Sequence, residues 1–125
     1  MPETLDPKEV GRRGEATAAE YLAGEGYLIL DTNWRWSKGE IDIVAEQDGE
    51  LIFVEVKTRR SHTFGMPEES ITNQKRQKLI QTANAYLSRV GRQGSPWRID
   101  VVAIDLGKDG AVERLDHYES AVEGS

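Results

Sequence analysis

The sequence contains no cysteine, which excludes disulfide bonds and thiolate metal sites. Histidine is almost as scarce. His62 and His117 are the only two, which argues against a protein-ligated zinc site. No stretch approaches the ~18 apolar residues of a membrane-spanning helix, so no membrane partner is expected. The opening segment MPETLDPKEVG lacks the basic flank and apolar core of a signal peptide, and a cytoplasmic location is the expectation. Internal repeats and long linkers are missing as well. The 125 residues are therefore expected to form a single domain, of a size that buries about two thirds of its unfolded surface without covalent staples.

Charge is plentiful but unevenly placed. The net charge is −6 with a pI near 5.0, which taken alone argues against a nucleic-acid partner. Residues 55–98, however, carry nine Lys/Arg against three Asp/Glu, and the rest of the chain seven against nineteen. Such asymmetry permits a basic working face on an acidic body.

The element order follows from caps, breakers and periodicity. Asp6-Pro7-x-Glu9 starts a helix running to about Ala23, with Val10, Gly14, Ala18, Tyr21 and Leu22 as its inner stripe. Glu15 borders that stripe. Tyr27–Leu30 reads as a short strand and Asn33–Gly39 as a loop or strand edge, whose Trp34 and Trp36 serve either as core lids or as a stacking surface for bases. Gly39–Arg60 reads as a hairpin about an Asp48-Gly49 turn, with Ile41 and Ile43 on one face and Val44, Leu51 and Phe53 on the other. A polar loop through His62, Phe64 and Pro67 follows. Thr72 caps a second helix reaching about Val90, with Lys75, Arg76 and Lys78 in its first turns. Trp97–Leu106 is a strand, Ala111–Leu115 returns as an edge strand, and the residues from Glu119 read as a fraying tail on which Tyr118 and Ala121 dock. The order α-β-β-β-α-β-β describes an α/β fold, a mixed β-sheet flanked by helices.

The hairpin carries the chemistry. A two-residue turn pairs Gln47 with Glu50 and Ala45 with Ile52, which sets Asp42 opposite Glu55. Like charges opposed on a sheet are destabilising unless a cation lies between them. Lys57 shares the face of Glu55. Hard oxygen donors suit Mg2+ or Mn2+, and the Val56 carbonyl and Glu15 are candidates to complete the ligand set. Lys57 is placed to orient a metal-bound water or to stabilise charge on phosphorus. Arg59, Arg60, Lys75, Arg76 and Lys78 are candidate contacts to the phosphate backbone. In a competing reading Lys57 forms only a cross-strand salt bridge with Glu40.

The blocks GRRGEATAAEYLAGEGYLIL at 11–30, NWRW at 33–36, GEIDIVA at 39–45, FVEVKTR at 53–59 and RIDVVAI at 98–104 together resemble the YraN-type (UPF0102) family of small bacterial proteins. That family has been assigned to the restriction-endonuclease-like, PD-(D/E)xK nuclease superfamily. The resemblance implies a fold similar to archaeal Holliday-junction resolvases and Mg2+-dependent hydrolysis of a DNA phosphodiester, often by a homodimer. It maps Glu15 onto the helix glutamate, Asp42 onto the first strand acid, and Glu55 and Lys57 onto the acid-x-lysine pair. Ile41 stands where the superfamily name has proline, and the acidic pI departs from a dedicated junction binder. Three readings follow: a DNA nuclease, a nuclease acting on RNA, and a non-catalytic nucleic-acid or partner-protein adaptor on the same fold.

Overall fold

Asp48 and Gly49 both take positive φ, 52° and 83°, the requirement of a type I′ turn whose twist suits a hairpin. The hairpin register follows from it: Gln47 pairs with Glu50, Ala45 with Ile52 and Ile43 with Val54. The computed structural model describes residues 6–60 and 72–122. Within them Pro7–Gly24 forms α1, Leu28–Trp36 β1, Gly39–Gln47 β2, Glu50–Arg60 β3, Asn73–Val90 α2, Trp97–Leu106 β4 and Val112–Val122 β5. This is the expected α-β-β-β-α-β-β order. The loop expected through His62 and Pro67 lies outside the described residues.

The strands form one sheet in the order β1-β2-β3-β4-β5. Only β3 and β4 run parallel; the other neighbours are antiparallel. A parallel pair needs a crossover, and α2 lies in that connection. Asp6 caps α1 by accepting a hydrogen bond from the Glu9 N–H at 2.8 Å, and Pro7 occupies its first turn. Thr72 caps α2 in the same way through the Lys75 N–H.

The two helices cover opposite faces, so β2, β3 and β4 are apolar on both sides. Ile43, Ile52, Val54, Val102 and Ile104 pack with Val10, Ala18 and Leu22 of α1. Val44, Leu51, Phe53, Ile99 and Val101 pack with Leu79, Ala83, Tyr86 and Leu87 of α2. Helix α1 lies close against β3 because position 14 is glycine. A Cβ there would overlap the Thr58 side chain.

Three local expectations are corrected. Strand β1 continues to Trp36, because its ladder with β2 persists from Thr32↔Ile43 to Trp36↔Gly39. Being an edge strand with much exposed surface, it shows no apolar alternation. The tryptophans are core lids: Trp34 packs edge-on to Tyr86 with centroids 5.2 Å apart, and the Trp36 Nε1–H donates to Thr82 Oγ1 at 2.9 Å. Strand β5 likewise runs to Val122, past the expected end at Leu115, held by β4 pairing and by a Ser120 N–H bond to Asp100. Tyr118 and Ala121 do pack on the α2-side core. Finally, Ile41 joins the α2-side core while Ile43 faces α1. Simple alternation would place both on one face. The break falls at Asp42, just past the last β2–β3 pair.

Candidate functional site

The β2–β3 ladder stops at Ile43↔Val54, one pair short of the expected Asp42–Glu55 opposition. In place of a ladder bond, the Val56 N–H donates to Asp42 Oδ2 at 2.8 Å. Beyond this point β3 continues beside β4 alone, from Glu55↔Val101 to Arg60↔Leu106. The strands part where the carboxylates meet, which relieves a repulsion that strict pairing would enforce.

Asp42 is 8% exposed. Burial and then the Glu55 carboxylate push its pKa up to about 7, against the pull of the Val56 N–H, while Glu15 and Glu40 push the same way. Helix α1 thus brings the charge of Glu15 to bear on Asp42. Glu55 Oε2 lies 3.5 Å from Lys57 Nζ and 3.2 Å from Lys75 Nζ, so one carboxylate is shared between a strand lysine and a helix lysine. Burial and contact with Lys75 push the Lys57 ammonium below its ordinary pKa, more than Glu55 restores. For Lys75 burial acts downward, but the Lys57 contact and the Glu55 charge outweigh it and the group is raised.

The structure brings together Asp42, Glu55, Lys57 and Lys75, while Glu15 lines the α1-side cavity and acts on Asp42 through its charge. Lys57 does not bridge to Glu40, which pairs with Arg35 at 3.4 Å. Two cavities flank this end of β3. One, of about 270 Å3, lies toward α2 and is lined by Asp42, Glu55, Lys75, Lys78 and Thr82. The other, of about 500 Å3, lies toward α1 and is lined by Glu15, Val56, Lys57, Thr58 and Arg60.

Two candidate phosphate contacts have surroundings of their own. Arg59 Nε donates to Asp105 Oδ1 at 2.8 Å, an ion pair across β3 and β4. Arg76 faces a separate groove beside Trp97 and Ser120. The direct reach of Lys75 to Glu55 was not anticipated. The signal was available in the spacing of Lys75, Lys78, Leu79 and Thr82, which places them on one helical face.

Among the described residues, no group of three or more His, Cys, Asp or Glu side chains is arranged to hold a metal ion. The donor chemistry is nonetheless compatible with Mg2+. That ion is usually bound through one or two carboxylates and keeps several waters, and the crowded negative charge that raises Asp42 is what a cation relieves.

The sequence model of a family described as "Uncharacterised protein family UPF0102" matches residues 14–104. A UPF0102 protein of Roseiflexus castenholzii is 49% identical over 115 residues, covering 91% of this chain and 93% of that protein. UPF0102 protein STH1475 of Symbiobacterium thermophilum is 46% identical over 103 residues, covering 82% and 87%. A Moorella thermoacetica UPF0102 protein is 44% identical over 118 residues, covering 94% and 98%.

Proposed function

The chain belongs to the UPF0102 family, and from that premise we propose that it is a Mg2+-dependent (or Mn2+-dependent) endonuclease hydrolysing phosphodiesters of branched or otherwise structured DNA. The observation that carries the reading is the meeting of Asp42 and Glu55 where β2 and β3 part, with Lys57 and Lys75 on the same carboxylate. Asp42 and Glu55 would hold the ion, with Glu15 and the Val56 carbonyl as supporting ligands. The bound ion supplies a Lewis acid for the phosphoryl oxygens and a water of lowered pKa.

The remaining work falls to the chain's own groups. Lys57, held 3.5 Å from Glu55, orients the attacking water and accepts or returns a proton near the scissile phosphate. In its charged form it offsets negative charge developing there. Lys75 and Lys78 line the same cavity as the acids and hold adjacent phosphate oxygens. A homodimer would present two such sites to a branched substrate.

A second reading has its own support. The two lysines already balance the charge of Glu55, which suits a nucleic-acid or protein adaptor that keeps the fold without turnover. Cleavage of branched and single-stranded DNA with Mg2+ separates the two. The nuclease reading expects activity that Glu55→Ala and Lys57→Ala abolish without loss of thermal stability. Activity unchanged in both variants overturns it; binding that persists without divalent metal and without Asp42 supports the adaptor.

A further inference from the structure

Helix α1 carries two glycines within its first half, and only one has a packing reason. Gly14 is buried and its missing Cβ makes room for Thr58. Gly11 has helical rather than positive φ, and among the described residues a Cβ built on it meets nothing within 4 Å. A glycine in a helix interior is destabilising relative to alanine. At position 11 neither backbone geometry nor crowding offsets that cost. What Gly11 does is line the cavity of about 500 Å3 between α1 and β3, and a side chain there would project into it.

The lining of that cavity describes its occupant. Val10, Gly11 and Val56 give it apolar walls, Thr58 and Arg60 give it polar groups on β3, and Glu15 adds a carboxylate from α1. Its volume falls in the roughly 300–1,000 Å3 range of small-molecule sites, room for a base with its sugar. Lys57 lines this cavity and also touches Glu55, whose carboxylate lines the α2-side cavity. A group seated between α1 and β3 is therefore next to the phosphate-handling end of β3.

We infer that the α1-side cavity receives one unpaired nucleoside of the substrate strand, the base against Val10, Gly11 and Val56 and its phosphate leading round the end of β3 toward the face that carries Lys57 and Glu55. This rests on the nuclease reading and names its substrate class: strands with at least one nucleotide free of the duplex, since a stacked and paired base cannot enter a pocket. Glycine at position 11 keeps the seat open.

The test is binding of a fluorescent ~12-nucleotide single-stranded oligothymidylate, a length within the span of single-strand sites, and of a blunt duplex of equal length. Both are measured in EDTA on wild type, Gly11→Ala and Gly11→Leu. Thermal unfolding should show both variants at least as stable as wild type, because the added carbons enter open space and improve helix propensity. Gly11→Leu is expected to bind the single strand about 10-fold more weakly, with Gly11→Ala between and duplex binding unmoved. Single-strand binding by Gly11→Leu equal to wild type overturns the pocket, while metal-dependent cleavage lost in Lys57→Ala would still stand. Conversely, selective loss in Gly11→Leu by a protein that cleaves nothing upholds the pocket and removes hydrolysis. Failure of wild type to bind the single strand overturns the pocket and leaves hydrolysis to the cleavage assay.

Discussion

Replacing Asp42 with asparagine should make the protein more stable at neutral pH while removing its proposed function. In the folded chain burial and Glu55 raise the Asp42 carboxyl from 3.8 to about 7. Between those pH values the folded chain keeps a proton that the unfolded chain has released, so stability falls as pH rises through the window. Above it the penalty is complete, and a rise of that size corresponds to about 4 kcal/mol as a ceiling. Relaxation of the buried site realises only part of that ceiling, about half, or ~2 kcal/mol. Asparagine keeps an oxygen for the Val56 N–H and carries no charge. Thermal unfolding of wild type and Asp42→Asn in EDTA, from pH 4 to pH 8, reads the effect. The variant should melt about 8 °C higher at pH 8, at roughly 4 °C per kcal/mol for a chain of this size, and the gap should close toward pH 4. A variant no more stable than wild type at pH 8, or a gap that is independent of pH, refutes the reasoning.

Two structural predictions follow from the same physics. Gly14→Ala drives a methyl group into the Thr58 side chain and should cost about 1–3 kcal/mol in urea unfolding, the range for overpacking; Gly14→Ala combined with Thr58→Ala should recover most of the loss. Asp100 is fully buried and accepts hydrogen bonds from the Arg98 guanidinium and the Ser120 N–H, with His117 Nε2 at 2.8 Å from its other oxygen. Burial pushes its pKa up, but bonds from His117, Arg98 and Ser120 outweigh it and hold the group below its ordinary value. Its contribution is therefore present above the unfolded carboxylate range and lost as pH falls. Asp100→Ala should cost about 3 kcal/mol at pH 7, because it removes the buried acceptor shared by Arg98, His117 and the Ser120 N–H and leaves the backbone donor unpaired, and the cost should shrink in acid.

How much of this could be read from residues alone depends on how local each cause is. Asp6-Pro7 and Asp48-Gly49 act within a few residues, so the helix start and the hairpin register are legible. The Asp42–Glu55 approach is legible for the same reason, since it is counted outward from the turn. The escape from strict pairing is not. It depends on the Val56 N–H finding a carboxylate when the ladder ends, which no periodicity encodes. Strand β1 is held past Leu30 by β2 and by Trp36 reaching Thr82 of α2, and such long-range support leaves no mark on a nine-residue window. Arg59 looked available for phosphate because its partner, Asp105, lies 46 positions away. His117 showed only as a scarce residue, whereas the fold places it between Tyr21 Oη at 3.0 Å and Asp100, joining α1 to β4 and β5.

The central claim is a cation at Asp42 and Glu55, and calorimetric titration of Mn2+ into the purified chain tests it most directly, with Asp42→Asn alongside. Wild type should give a saturable binding heat that the variant lacks, even though the variant is the more stable protein. Equal heats from the two proteins, or none from either, would contradict a metal site on this hairpin.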